Sequence, residues 1–268
     1  MLDKKECIVL IPVYESLGVD DRITIKQAID MTPGIDKAFI MPRSFIMDES
    51  FSDFENFRVE RFHDDFFANI IGYNRLMLDA DFYGCFSEYS YMLIHQLDVF
   101  LFKPALRYWC SKNYDYIGAP WLRPHKIKKA KFYLSVANKC PWMFSPRLRK
   151  RIEHYNNVGN GGLSLRKIES FMKILESAGT FDILNIYLKK QASRDSSYNE
   201  DVFWSLEGPR LHENFSKPGW REAIYFSVEN YPSYAWGLMN KQLPFGCHKP
   251  RVHEPGFWKE YIPFINPG

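Results

Sequence analysis

The sequence predicts an α/β fold: a mixed, mostly parallel central sheet flanked by helices. Three observations carry this. Strand-length apolar runs alternate with stretches of helical periodicity through the first hundred residues. The run Tyr91–Leu97 is mostly apolar, as a central strand covered on both faces must be. A chain of 268 residues with 46% hydrophobic side chains can bury the core such a sheet needs.

The elements follow in order. Cys7–Val13 is β-branched and aliphatic, is ended by Pro12 and the turn after it, and predicts a buried strand. Arg22–Met31 spaces Ile23, Ile25, Ala28 and Ile29 as one helix face, and Thr32-Pro33-Gly34 stops it. Lys37–Met41 and Phe57–Arg61 are short strands, and Asp65–Leu78 reads as a helix with Phe66, Ile70, Tyr73 and Met77 on one face. Tyr91–Leu97 ends at Asp98, Pro104 opens a helix through Cys110, and Tyr114–Ile117 is a further strand. Gly159–Gly162 precedes another strand, a helix starts near Lys167, Arg194–Ser197 is a polar loop, and Asn199–Leu206 opens a last helix. The Pro-, Gly- and aromatic-rich tail after Pro244 is expected to wrap the domain without regular structure. The whole chain, 1–268, reads as one domain, with a first half to about residue 100, a second half from about 101, and an inserted segment near 122–155.

Composition narrows the classes. The net charge of +3 gives no electrostatic footprint for nucleic acid as a partner. Basic residues cluster locally at Lys126, Lys128, Lys129 and Lys131, and again at Arg147, Arg149, Lys150 and Arg151, with Phe132, Tyr133, Trp142, Met143 and Phe144 between them. Such runs are usually solvated surface, and contact with anionic lipid at a membrane periphery, with a polyanionic acceptor or with nucleic acid is the alternative. Five cysteines, an odd number with no C-x-x-C pair, argue against a disulfide framework and a zinc site and point to a reducing, cytoplasmic setting. The apolar run after Met1 is too short for a signal peptide or membrane span. The 17% aromatic content can fill the core or line a groove for sugar rings.

Four constellations could carry chemistry. Gln96-Leu97-Asp98 puts a carboxylate at the carboxyl end of a buried strand, where open α/β sheets bind ligands and where Mg²⁺ or Mn²⁺ would find an oxygen donor. Strand-end aspartates also serve as turn formers and helix caps. Gly159-Asn160-Gly161-Gly162 implies close approach to the backbone, or a tight turn at a strand entrance, and lacks the spacing of a dinucleotide or P-loop motif. Glu200 and Asp201 at a helix start could be dipole partners or supply a catalytic base. His248, between Gly246 and Pro250, sits in a loop that could present its ring.

In this order the four resemble the shared pattern of GT-A-fold glycosyltransferases: a DxD-type motif after a central strand, a glycine-rich loop, an x-E-D motif and a late metal-binding histidine. The phrases Gln96–Phe100, Gly159–Arg166, Asn199–Phe203 and Pro244–Lys249 look more specifically like a family of predicted, mostly microbial, glycosyltransferases. The resemblance covers about residues 60–250. It implies a Rossmann-like GT-A fold and a nucleotide-diphosphate sugar as donor, with UDP favoured. Pro12, Val13, Tyr14 and Glu15 would lie against the base and ribose. Asn74, Arg75, Gln96, Leu97, Gly161 and Gly162 would lie along the donor, and Asp98 and His248 would hold Mn²⁺ or Mg²⁺. It also implies Asp201 as base of an inverting transfer, with Glu200 beside it, and a glycan, glycolipid or protein acceptor. Trp121, Trp142 and Trp204 are the stacking candidates for that acceptor. The sequence departs from the pattern at Gln96, which replaces the first Asp of DxD and lowers the charge available to a cation.

Three rivals compete with that reading. A catalytically degenerate sugar-binding module is favoured by Gln96 and opposed by the retained Glu200, Asp201 and His248. A glycoside hydrolase needs two carboxylates facing each other across a bond, which adjacent residues seldom do. A nucleotidyltransferase wants a glycine-rich basic loop near the start of the chain, which Tyr14–Asp21 is not.

Overall fold

A computed structural model describes residues 4–123, 152–193 and 195–265, together with 132, 135–136, 139–145 and 149. Of the basic insertion, Lys126, Lys128, Lys129, Lys131, Arg147, Lys150 and Arg151 fall outside the described residues.

The central sheet is as expected in kind and places the site. Its six strands are β1 (Lys5–Pro12), β2 (Asp36–Pro42), β3 (Arg58–Phe62), β4 (Tyr89–His95), β6 (Tyr116–Gly118) and β7 (Leu163–Lys167), in the order β3-β2-β1-β4-β7-β6. β1 to β4 are mutually parallel, and β7 runs antiparallel to both β4 and β6. β2 and β3 are added on one side of β1 and β4 on the other. The strand order therefore reverses between β1 and β4, and this reversal opens a crevice at their carboxyl ends.

Both faces of β1 are covered, which is why Ile8 to Ile11 are apolar without a break and fully buried. Val9 and Ile11 pack with Ile25 and Ala28 of helix α1 (Val19–Met31). Ile8 and Leu10 pack on the other face with Leu76 of α2 (Ile70–Leu76) and Phe82 of α3 (Ala80–Gly84).

Three elements differ from expectation. The stretch Asp65–Leu78 is broken: a short 3₁₀ turn spans Asp64–Phe66, and α2 begins only after Asn69, whose Oδ1 accepts from the amides of Ile71 and Gly72. That N-cap is worth more than extending the helix through it. The segment from Asn199 starts as one α-turn, Glu200–Val202, and widens into a π-turn over Phe203–Glu207. The tail after Pro244 is not purely irregular. Gly246–His248 forms β9, the middle strand of a small second sheet between β5 (Val99–Leu101) and β8 (Ser227–Val228). Among the described residues no helix is long and apolar enough to cross a membrane.

Candidate active site

The crevice between β1 and β4 holds a cavity of about 840 Å³. Pro12, Tyr14 and Glu15, just past β1, line it, as do Gln96, Leu97 and Asp98 past β4. The opposite wall comes from Asn69 and Tyr73 of the α2 region and from Lys249 and Arg251 of the tail. Tyr73 is 9% exposed, and its hydroxyl faces the Gln96 side chain.

The second sheet explains how His248 reaches Asp98. β5 and β9 pair antiparallel with Val99 opposite His248, and the Lys249 amide donates to the Asp98 carbonyl at 2.9 Å. His248 Nε2 therefore lies 3.1 Å from Asp98 Oδ1 and 3.2 Å from Gln96 Oε1, while Nδ1 faces Glu229 Oε1 at 3.3 Å. Burial works to lower the His248 pKa, but the carboxylates on either side leave it above its usual value. Burial works to raise that of Asp98, and the imidazole beside it leaves it below the usual carboxylate range. Among the described residues no group of three or more His, Cys, Asp or Glu is arranged to hold a metal. One carboxylate, one imidazole and one amide oxygen nevertheless converge here. That donor set fits a hard divalent cation whose remaining ligands come from a diphosphate and water.

The glycine-rich loop serves the site in a way the sequence did not suggest. Asn160 is the residue in the left-handed region, at φ 70°, and its Oδ1 accepts from the Gly162 amide at 2.9 Å. Gly161 and Gly162 are needed for space. A Cβ on Gly161 would meet Glu200 Oε1 at 2.0 Å, and one on Gly162 would meet His248 Nε2 at 2.2 Å. The loop thus packs bare backbone against two site residues at once, and the Gly162 carbonyl accepts from the Gln96 amide at 2.9 Å.

Asn74 fixes the next segment. Its Oδ1 accepts from the Glu200 amide and its Nδ2 donates to Asn199 Oδ1, each at 3.2 Å. Glu200 is 3% exposed and pairs with fully buried Arg166 at 3.0 Å. Arg166 also donates to Tyr83 Oη at 2.9 Å and to Ser164 Oγ at 3.0 Å. Burial lifts the Glu200 carboxyl above its usual value although Arg166 opposes it. The neighbouring carboxylate is the freer one. Asp201 is half-buried and opens onto a second, smaller cavity of about 200 Å³ shared with Trp121, His154 and Tyr155. Burial, then the charges of Glu200 and Glu229, push its pKa up to about 7. A carboxylate so poised accepts a proton near neutrality.

The remaining expected residues divide. Trp121 is at the second cavity, its ring 5.1 Å from that of His154. Trp142 is 80% exposed. Trp204 is corrected to a core residue: it has no exposed surface, stacks on Phe171 at 3.9 Å and donates its indole N–H to the Met77 carbonyl, so no acceptor can reach it. Val13 is buried with its amide bonded to Ile40, Asn74 works inside the protein, and Arg75 is exposed away from the lining of the main cavity. Glu229, Arg166 and Tyr73 were missed by sequence reasoning. Glu229 stands in Ser227-Val228-Glu229-Asn230 with no motif around it; Arg166 alternates with apolar residues and reads as an outward strand position.

A family profile described as "Protein of unknown function (DUF5672)" matches residues 56–248. The chain belongs to the DUF5672 family. That match takes in Asn69, Tyr73, Gln96–Asp98, the glycine loop, Glu200, Asp201, Glu229 and His248, and leaves out the cavity walls before residue 56 and after residue 248. No curated protein matches this DUF5672 chain. Its fold is similar to that of the galactosyltransferase LgtC in complex with donor and acceptor sugar analogues, at TM-score 0.54 and 12% identity over 96% of this chain and 91% of that one. Mouse xyloside xylosyltransferase 1 in its apo form aligns at TM-score 0.47 and 10% identity, over 91% of this chain and 97% of that one. A glycosyltransferase involved in glycosylation of the major capsid of PBCV-1 aligns at 0.45 and 10%, over 91% and 93%. The likeness to LgtC together with the mixed, mostly parallel sheet gives this DUF5672 chain the GT-A fold.

Proposed function

We propose that the protein is a metal-dependent glycosyltransferase that moves a sugar from a nucleotide-diphosphate sugar, with UDP the favoured nucleotide, to a hydroxyl of a glycan, glycolipid or protein. One observation supports this above the others. Asp98, on the lining of a nucleotide-sized crevice, meets His248 at 3.1 Å, and the glycine loop that packs on His248 also packs on Glu200, next to Asp201, whose pKa is pushed up to about 7.

The main cavity takes the donor. Tyr14 offers an aromatic face to the base, Glu15 an acceptor to ribose hydroxyls, and Lys249 and Arg251 positive charge to the diphosphate. Asp98, His248 and the Gln96 side-chain oxygen Oε1 would hold Mn²⁺ or Mg²⁺. That cation, when bound, supplies charge stabilisation to the departing nucleoside diphosphate. The smaller cavity takes the acceptor, with Trp121 as its stacking surface. Asp201 removes the acceptor hydroxyl proton. The hydroxyl oxygen bonds to the anomeric carbon as the bond from that carbon to the diphosphate oxygen breaks, with inversion. Glu200, locked to Arg166, holds the segment that carries Asp201.

The test is a screen of nucleotide sugars with and without Mn²⁺. It is read by thermal shift, since a bound donor stabilises the fold by mass action, and by release of nucleoside diphosphate. Asp98→Ala is expected to abolish the Mn²⁺-dependent shift, and chelator to suppress release. Full activity in chelator overturns the metal assignment. Cleavage of glycans without nucleotide overturns the transferase.

A further inference from the structure

One buried carboxylate beside the site has no part in the mechanism above. Glu229 follows β8, and the parallel pairing of β8 with β9, Ser227 opposite Gly246 and Val228 opposite Cys247, carries it alongside His248. Its side chain is 12% exposed, and Oε1 lies 3.3 Å from His248 Nδ1. That nitrogen is itself buried, and at 3.3 Å its approach to Glu229 is an ion-pair contact rather than a well-aligned hydrogen bond. Oε1 also lies 3.9 Å from His253 Nε2, and Oε2 accepts from Asn230 Nδ2 at 3.2 Å. Burial acts against the Glu229 charge, yet His248, Lys249 and His253 keep its carboxyl below the usual range.

An imidazole can ligate a cation only through a nitrogen that carries no proton. Which nitrogen that is depends on the partner of the other one. Here the two ring nitrogens face different surroundings. Nε2 points at Asp98 and Gln96 by the main cavity, and Nδ1 points at a buried carboxylate on the far side.

We propose that Glu229 is a positioning residue: its carboxylate takes the Nδ1–H of His248 and holds the ring in the tautomer and rotation that turn the Nε2 lone pair toward Asp98 and Gln96. The proposal rests on the metal-dependent reading above. It adds to that reading a residue placed outside the ligand set, just past a different strand of the second sheet. It also explains why a site with one carboxylate ligand keeps a second carboxylate behind its histidine. The added basicity of the ring offsets part of what Gln96 takes away.

The test measures Mn²⁺ affinity of the full chain by electron paramagnetic resonance, with no nucleotide present, in wild type, His248→Ala, Glu229→Gln and Glu229→Ala. Thermal unfolding of each is the folding control. Glu229→Ala is expected to weaken Mn²⁺ binding by about 10–100-fold. Glu229→Gln keeps an acceptor without the charge and loses less; it also keeps the test open where the alanine variant does not fold. In Mg²⁺-loaded wild type at alkaline pH, ¹⁵N spectra are expected to put the remaining ring proton of His248 on Nδ1. A proton on Nε2, or binding lost in His248→Ala but within twofold of wild type in both Glu229 variants, overturns the positioning role alone. Absence of Mn²⁺ binding by wild type both without nucleotide and with UDP added overturns the metal reading and the role with it.

Discussion

Replacing Asp201 by Asn separates the base from the fold that holds it. The Asp201 pKa is displaced from 3.8 to about 7, first by burial and then by Glu200 and Glu229. A raised carboxylate pKa means that the folded state holds the proton more tightly than the unfolded one. Stability therefore falls as pH rises from about 4 to about 7 and stays lower above that. The displacement sets a ceiling of about 4 kcal/mol on the cost of ionising Asp201 in the folded protein. Asn has the same shape, can still accept from the Val202 amide as Oδ1 of Asp201 does, and never ionises. The variant is thus expected to be more stable than wild type at pH 8 and equal to it near pH 4. Turnover goes the other way. Loss of a general base lowers kcat by about 10²–10⁴-fold. In wild type, the rate should rise tenfold per pH unit up to about pH 7 and level off above it, because only the deprotonated carboxylate accepts the proton. Urea denaturation at pH 4 and 8 reads the first effect, and initial rates of nucleoside diphosphate release from pH 5 to 9 read the second. An Asn variant with wild-type turnover, or a rising limb centred below pH 5, would refute the assignment of Asp201 as base.

Two further perturbations test the scaffold under the site. Gly162→Ala puts a methyl 2.2 Å from His248 Nε2 and 2.5 Å from its Cδ2 and Cε1, so the ring must move; it should cost about 1–3 kcal/mol and lose Mn²⁺ binding, whereas Gly84→Ala, with nothing within 4 Å of its added Cβ, should leave both intact. Arg166→Met leaves Glu200 buried without its countercharge and should cost about 3–5 kcal/mol by urea denaturation, much of it recovered in the double variant with Glu200→Gln.

The middle of the central sheet was legible because β1, β2 and β4 are largely apolar and buried on both faces and seven or eight residues long. Ile8–Ile11 and Met92–Ile94 admit no alternative burial, and strand ends were placed to within two residues. The second sheet was not legible. β5, β8 and β9 are three, two and three residues long, β9 contains a glycine, and its partners lie far away in the chain. Such strands exist because their neighbours pair with them, and no local periodicity announces that. The break at Asn69 was hidden for the opposite reason: the apolar spacing runs through it, and only the capping side chain decides where α2 starts.

The site shows the same division. Asp98, Asp201 and His248 sit in recognisable phrases, so their residue types could be read. What the sequence could not supply is why they stand together. His248 reaches Asp98 only through the β5–β9 pairing, and Asp201 is held across from them only because Glu200 is tied to Arg166 and Asn74. Gly161 and Gly162 are the clearest case. Glycines in such a loop suggest room left for a ligand, yet the space their missing side chains leave is filled by Glu200 and by His248. The loop is therefore a gauge that sets the separation of the Glu200–Asp201 segment and the His248 ring, and any side chain there changes both together. That predicts coupled behaviour: substitutions at Gly161 should disturb Asp201 first through Glu200, those at Gly162 should disturb cation binding first, and neither should need to touch the donor to do so.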